Sequence, residues 1–356
     1  TQYRMSPAIT HVVNTLAYRG QLQVAREVEG ATRALTARAP WAGAATVLIS
    51  TTSLHPACFT EPAADSHSRA TPLHGCLAVE LARQAVAAGS DRVAVVTPYR
   101  AQAGLIAAMV RDQGLGHQVR AGTVHRFQGA ESDCVIVDLV DAPGQGTASR
   151  LTGMQPDTAL RLLTVALSRA RGKLVVIADA AFVWHRHPAD SPVRRALGIL
   201  QHAESAVAVS AAELVTDGDA PAGWCLGVWD QAAEQIAAQI AASPSTATLN
   251  LPAGFVPPDP LVDAVRQASL SGRRTRVCVD HGQARRLQGT VADVRLLTRP
   301  TGLFCLVRPA RAYLGGLDPR GLVFCVEGSH TFGVLEPLLT GEDGGPAGQG
   351  GAVTPG

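Results

Sequence analysis

The sequence predicts an α/β protein in which a parallel sheet with helices on both faces is followed by a second, smaller α/β domain. Short runs that are apolar along their whole length, such as TVLIST from Thr46 and RVAVVTP from Arg92, are typical of strands buried on both faces. Helix-like segments alternate with these runs. A break of linker-like composition at 216–224 separates two such patterns.

The first pattern predicts a domain over residues 1–207. After the strand at Thr46, the segment from Leu77 has helical periodicity and stops at Gly89, a suitable residue for a helix C-cap. We interpret 41–71, rich in Pro, Ser and His, as a loop or insertion around that strand. Further strands are predicted from Arg92, Gln118, Asp133 and Lys173, and further helices from Ala101, over 158–169 and over 192–205.

The second pattern predicts a linker over 208–226, a small α/β domain over 227–340 and a disordered Gly/Pro-rich tail over 341–356. In the small domain we expect helices over 229–242 and 260–270, and strands over 247–251, 275–280, 289–296, 303–307 and 322–326.

Length and composition narrow the class of protein. A chain of 356 residues with 46% hydrophobic content suffices for two or three packed domains. It has no apolar run that could cross a membrane and no signal-peptide pattern, so we expect a soluble, cytoplasmic protein without a membrane partner. The net charge of +2 argues neither for nor against nucleic acid. The seven cysteines form no CxxC pair, and we predict no metal ligands and no disulfide framework.

Four polar segments interrupt the apolar pattern of the first domain at strand ends or loop starts. Because ligands of open parallel sheets bind at the carboxyl ends of the strands, we expect the segments to bind a ligand there. Each segment taken alone also fits an ordinary helix cap or salt bridge. The segments are QYRMSP at 2–7, TPYRAQ at 97–102, GTVHRFQGAESD at 122–133 and VALSRAR at 165–171.

The residue types in these segments suit a nucleotide and a phosphate backbone. Thr97 offers a hydroxyl and a backbone N–H to a phosphate. Gly129 lets the backbone approach a ligand closely, and Glu131 can accept hydrogen bonds from a ribose. Arg169 and Arg171 precede a buried strand, where a guanidinium usually has an anionic partner such as a triphosphate.

Together and in this order, the four segments resemble the second RecA-like domain of superfamily 1 helicases. The resemblance covers about residues 1–180 and points to the subgroup of the nonsense-mediated-decay helicase, senataxin and the replication helicase-nucleases. In that family ATP lies between two RecA-like domains. The resemblance therefore implies ATP with Mg²⁺ as cofactor and single-stranded DNA or RNA as partner.

The resemblance also implies roles for individual residues. Arg4 and Arg169 match the two arginine fingers, which neutralise charge on the γ-phosphoryl group, and Gln128 matches the residue that couples nucleotide to nucleic acid. Tyr3 matches the residue that stacks near the adenine, and Glu131 the one that contacts the ribose. Gly129 and Arg171 belong to the same nucleotide-binding segments. Contacts to the single strand are expected from four further residues: Thr97, Tyr99, Thr123 and His125.

One expected element is missing from these 356 residues. They contain no GxxxxGK[ST] phosphate loop, and no acidic Mg²⁺-binding pair stands upstream of QYRM. We therefore expect an upstream RecA-like domain in a longer chain to complete the site, and we expect this part alone to be inactive. A stand-alone product is the alternative.

The small domain faintly resembles a phospholipase-D-like domain. RVCVD at 276–280 and GGLD at 315–318 match parts of that pattern, but the catalytic HxK is absent. The alternatives are a non-catalytic relic of that family and an unrelated α/β domain.

For the whole chain, the sequence predicts the C-terminal half of an ATP-dependent helicase or translocase. The alternative is a non-catalytic module that binds nucleic acid or docks a partner.

Overall fold

The first domain is built on a six-stranded parallel sheet with the order β5-β4-β6-β7-β1-β8. The computed structural model describes residues 1–62, 67–127, 129–144, 156–203, 206–216, 225–243, 246–251, 256–279, 293–296, 302–318 and 321–341. The six strands are β1 (Thr46–Ser50), β4 (Val93–Thr97), β5 (Val119–Thr123), β6 (Ser132–Asp138), β7 (Ala170–Ala178) and β8 (Ala206–Ser210).

Helices cover both faces of this sheet, and each face has its own apolar core. All seven residues of β6 are buried, as expected for a strand in the middle of a two-sided sheet. The predicted fold class is therefore confirmed. The helices are α1 (Pro7–Val13), α2 (Arg26–Thr36), α3 (Pro72–Ala87), α4 (Arg100–Asp112), α5 (Pro156–Leu167), α6 (Ala180–Arg186), α7 (Pro192–His202) and α8 (Ala211–Thr216).

The structure changes two details of the predicted first domain. The segment 41–71 is not only a loop, because it contains the predicted strand β1, which lies between β7 and β8, and also a short hairpin of β2 (Phe59–Thr60) and β3 (Arg69–Ala70) that was not predicted. The sheet also extends beyond residue 207, because β8 pairs with β1 up to Ser210 and α8 occupies part of the predicted linker. Linker-like composition begins only after this helix.

Lys173, the only lysine of the sequence, is a buried structural residue. Its ammonium donates hydrogen bonds to the carbonyl oxygens of Thr36, Trp41 and Ala44 at 3.0, 2.8 and 2.6 Å. Burial lowers the pKa of Lys173 to about 8. The three carbonyls satisfy the buried amine and fasten the end of α2 to β7.

The second sheet is mixed and has the order β12-β11-β10-β13-β14-β15-β9. Its strands are β9 (Cys225–Val228), β10 (Ala247–Asn250), β11 (Thr275–Val279), β12 (Asp293–Leu296), β13 (Phe304–Val307), β14 (Arg311–Leu314) and β15 (Leu322–Glu327). Its helices are α9 (Trp229–Ala242), α10 (Asp259–Leu270) and α11 (Ser329–Thr340). The sequence did not predict β9, β14 or α11. The predicted disordered tail lies outside the described residues, except for Gly341.

The second sheet packs on the first domain through α3 and α4. Most of α3 is buried because it contacts the first sheet as well as the second domain. Asp112 at the end of α4 accepts hydrogen bonds from the backbone N–H of Thr331 at 2.7 Å and from His330 Nδ1 at 2.7 Å, which caps the start of α11. None of the described helices has both the length and the apolar character that a membrane-spanning helix needs.

Candidate functional site

Charged residues from three of the four motif segments meet at the amino ends of β6 and β7. Glu131 directly precedes β6, and Arg169 directly precedes β7. The backbone N–H of Ser132 donates to the carbonyl of Arg169 at 3.1 Å, which holds the two strand starts together. Arg4 reaches the same point from the N-terminal segment, where its Nε lies 2.8 Å from Glu131 Oε1. We call Arg4, Glu131 and Arg169 the amino-edge cluster.

Gln2 builds the turn that presents Arg4. Its Oε1 accepts hydrogen bonds from the backbone N–H groups of Arg4 and Met5, both at 2.8 Å. Its Nε2 donates to the carbonyl of Met5 at 2.9 Å and to Thr10 Oγ1 at 2.8 Å. The backbone N–H of Ser6 donates to the carbonyl of Arg171 at 2.8 Å, which ties the turn to β7. No role was predicted for Gln2 from the sequence, although Gln2 stands in the same motif segment as Arg4.

The two arginines of the cluster are held loosely. Arg4 Nη1 donates to the carbonyl of Ser168, and Arg169 Nη1 to that of Ala130, each at 3.4 Å and so longer than a typical hydrogen bond. The Arg4 Nε lies close to Glu131 without the alignment of a hydrogen bond, and the buried Nε of Arg169 has no hydrogen-bond partner among the described residues. Both guanidiniums therefore have hydrogen-bonding capacity that the described residues do not use.

The electrostatics of the cluster favour an anion. Partial burial and the positive charge of Arg4 lower the pKa of Arg169, while Glu131 opposes that effect. Two guanidiniums thus lie near a single carboxylate, and only Arg4 forms an ion pair with it among the described residues. A bound anion would relieve their repulsion and accept their unused N–H groups.

A groove lies beside the cluster, and Tyr3 stands at its rim with 70% of its surface exposed. Arg4, Glu131 and Ser168 line this groove together with apolar residues. The structure therefore brings Tyr3, Arg4 and Glu131 into one place, and Arg169 interacts electrostatically with two of them.

The other predicted nucleotide contacts do not share one environment. Gly129 has a φ of +83°, which requires glycine, and open space surrounds it. Arg171 is half-buried and forms an ion pair with Asp133 at 3.2 Å rather than joining the amino-edge cluster. Gln128 lies outside the described residues. In the described ranges, no group of three or more His, Cys, Asp or Glu side chains is arranged to hold a metal ion.

The predicted nucleic-acid contacts lie at the opposite, carboxyl ends of the strands, which we call the carboxyl edge of the sheet. Thr97 and Thr123 are register partners at the carboxyl ends of β4 and β5. Thr123 is half-buried and His125 is exposed, so both can be reached from outside. The side chains of Thr97 and Tyr99 are buried, and the Tyr99 hydroxyl donates to Asp141 Oδ1 at 3.1 Å.

The expectation that these segments bind a ligand at the carboxyl ends of the strands therefore does not fit the position of the amino-edge cluster. The reason is positional, since Glu131 and Arg169 precede their strands and Arg4 is tied to the start of β7. The motif segments divide between two edges of the same sheet.

Comparisons with known proteins identify the family of the chain and two similar helicases. The model of an AAA domain family matches residues 1–181, just over half of the 356 residues. The chain is 28% identical over 189 residues to the DNA replication ATP-dependent helicase/nuclease JHS1 of Arabidopsis thaliana. The match covers 49% of this chain and 13% of that protein. It is also 35% identical over 88 residues to the DNA polymerase alpha-associated DNA helicase A of Schizosaccharomyces pombe. That match covers 25% of this chain and 12% of that protein.

A solved structure, the C-terminal domain of a possible DNA helicase from Lactobacillus plantarum, covers 50% of this chain and 88% of that chain at 13% identity, with a TM-score of 0.28. The chain spans only a small part of the length of either curated relative. The matched range includes every predicted site residue from Tyr3 to Arg171. The chain belongs to the AAA domain family, and both curated relatives are helicases by name.

Proposed function

We propose that this chain provides the arginine-bearing side of the ATP site in an ATP-dependent helicase or translocase of superfamily 1, which acts on single-stranded nucleic acid. The observation that carries the proposal is the amino-edge cluster, in which Arg4 forms an ion pair with Glu131 and Arg169, from a distant segment, lies close enough for the charges of both to act on it. The kinship to helicases supports the same function. The subgroup named by the sequence resemblance is part of this proposal.

The residues of the cluster fit a nucleoside triphosphate. ATP, when bound, supplies the phosphoryl group that is hydrolysed. Arg4 and Arg169 would hold phosphate oxygens with N–H groups that now make only long hydrogen bonds of 3.4 Å. Glu131 would accept a hydrogen bond from a ribose hydroxyl, and the exposed ring of Tyr3 would stack near the base. Positive charge beside the reacting phosphoryl group is the usual contribution of arginine fingers.

The remaining parts of the ATP site would come from residues outside this sequence. We propose that an upstream RecA-like domain of the same protein provides the phosphate loop and the ligands of Mg²⁺. The single strand would pass the carboxyl edge, where Thr123 and His125 are accessible. Contacts to phosphates make such binding largely independent of sequence and sensitive to salt.

The deciding experiment measures ATP hydrolysis by the full-length protein with and without single-stranded DNA or RNA. Replacing Arg169 by alanine is expected to lower kcat by about 10³-fold or more, because the variant loses the charge that stabilises the transition state. Binding of a non-hydrolysable ATP analogue is expected to change much less. Arg266→Ala is the matched control, since Arg266 is an exposed arginine of α10 paired with Asp263.

Turnover by Arg169→Ala similar to that of Arg266→Ala would contradict the proposal. If the full-length protein binds single strands with an affinity that does not depend on nucleotide, the chain acts instead as a binding or docking module.

A further inference from the structure

Tyr18 is a large aromatic side chain that lies outside the four motif segments. The chain contains four tyrosines, and Tyr99 and Tyr313 are buried. The two exposed ones, Tyr3 at 70% and Tyr18 at 43%, line the same groove beside Arg4 and Glu131. A protein gains nothing in stability by leaving two aromatic rings exposed in one groove, so their shared position points to a ligand.

The backbone that carries Tyr18 is unusual and is supported by dedicated side chains. Tyr18 ends a π-helical turn, Asn14–Tyr18, a rare conformation that is often found at functional sites. The next residue, Arg19, has a φ of 51°, a left-handed conformation that is uncommon for residues other than glycine.

Two contacts hold this turn in place. The Asn14 amide donates to the carbonyl of Leu22 and accepts from its N–H, both at 3.0 Å. Arg195 from α7 donates to the carbonyl of Leu16 at 2.9 Å. Leu16 anchors the turn in the core, with only 2% of its surface exposed, whereas Tyr18 faces the groove. The turn therefore fixes the position of an exposed ring.

The polar side chains around the groove are already engaged. The Gln2 amide makes four hydrogen bonds, all to residues between Arg4 and Thr10. The Ser168 hydroxyl donates to the carbonyl of Val165 at 3.3 Å, and Glu131 faces Arg4. Among the described side chains that line the groove, Arg4 also keeps unused N–H groups, which the proposed function assigns to phosphate oxygens. The two phenol hydroxyls then remain to meet the edge of a ring-shaped ligand. A hydroxyl that can both donate and accept does not distinguish one purine from another.

We propose that Tyr18 is a positioning residue for the nucleobase and forms the second aromatic wall of the base site, opposite the wall formed by Tyr3. This inference rests on the proposed function. Recognition by stacking depends on ring area, so this side of the site favours purine over pyrimidine nucleotides. Because the lining provides no edge-specific group, it contributes no discrimination between adenine and guanine.

The test measures nucleotide binding by the full-length protein without relying on turnover. The probe is 2-aminopurine riboside triphosphate, whose fluorescence is quenched when the base stacks. Competition with non-hydrolysable ATP, GTP and CTP analogues then gives their relative affinities. The variants are Tyr18→Ala, Tyr18→Leu and Tyr18→Phe, with Leu270→Ala as a control because Leu270 is exposed at 74% in the second domain.

Tyr18→Ala and Tyr18→Leu are expected to weaken binding of both purine analogues about 10-fold, to affect the CTP analogue less and to reduce the quenching. Tyr18→Phe and Leu270→Ala are expected to bind like the wild type. Leucine keeps apolar volume at the turn, so it separates stacking from any loss of folding in the alanine variant. Thermal unfolding of each variant checks this point.

Purine affinities of Tyr18→Leu equal to those of the wild type would overturn the inference, as would an equal loss for all three analogues. The proposed function fails separately, if Arg169→Ala hydrolyses ATP normally. Loss of hydrolysis in Arg169→Ala together with normal binding by both Tyr18→Ala and Tyr18→Leu would reject the role of Tyr18 alone.

Discussion

The two edges of the first sheet differ in how far their polar residues are buried and hydrogen-bonded. At the amino edge, Arg4 and Glu131 keep about a third of their side-chain surface exposed, and Arg4 and Arg169 make hydrogen bonds of 3.4 Å. At the carboxyl edge, His74 and Asp138 are completely buried, and their hydrogen bond is 2.9 Å long. The amino edge therefore keeps unused donors that suit a small anion, whereas the buried polar groups at the carboxyl edge are already satisfied.

The buried group at the carboxyl edge is a closed network. Asp138 accepts hydrogen bonds from His74 Nδ1, from Gln102 Nε2 and from the backbone N–H of Val140. The other ring nitrogen of His74 lies 2.8 Å from Thr51 Oγ1, so both ring nitrogens have partners. Val140 has a φ of 68°, which is costly for a β-branched residue, and the network holds it there.

The prediction with the largest expected effect concerns the stability that the network around Asp138 provides. Replacing Asp138 by alanine is expected to lower the free energy of unfolding by about 3–5 kcal/mol, because three buried donors lose their acceptor. Urea denaturation measures the loss. Asp91→Ala is the control, since Asp91 is exposed before β4 and is expected to change stability by less than about 0.5 kcal/mol. A cost for Asp138→Ala below about 1 kcal/mol would remove the distinction between the two edges.

The Tyr99 hydroxyl gives a smaller and more specific test. Tyr99→Phe removes one donor to the buried Asp141 and is expected to cost about 1–2 kcal/mol, while the ring keeps its position beside Arg69. Single-strand affinity, measured by fluorescence anisotropy on the full-length protein, is expected to stay unchanged because the side chain is buried. A loss of affinity without a loss of stability would instead support Tyr99 as a contact to the strand.

The sequence predicted the strands of the first sheet because buried parallel strands have an apolar pattern on both faces, as in RVAVVTP from Arg92. It did not predict that β8 belongs to that sheet, since AVAVS at 206–210 is short and is followed by linker-like residues. The second domain was harder to predict because β14 is a short antiparallel strand, without the alternation of strand and helix that marks the first domain.

The residues of the site were also only partly predictable from the sequence. Arg4, Glu131 and Arg169 could be singled out because they stand in motif segments, and the structure brings them together. Sequence could not show that Tyr99 is buried, because that depends on Asp141, which lies 42 residues away in the chain. Nor could it indicate Tyr18, since a π-helical turn has no simple sequence pattern and its supporting Arg195 lies on a distant helix.

The smallest expected effect concerns the ion pair at the amino edge. Glu131→Gln keeps the size of the side chain and removes its charge, and the pair is partly exposed. We expect the free energy of unfolding to change by no more than about 0.5 kcal/mol at low salt, and we expect this difference to vanish at high salt, where exposed charges are screened. Urea denaturation at both salt concentrations measures it. A salt-independent loss of several kcal/mol would mean that Arg4 and Glu131 form a structural pair like the buried network at the other edge. A small loss would mean that the pair contributes little to folding, which leaves Arg4 free to exchange its partner for a phosphate.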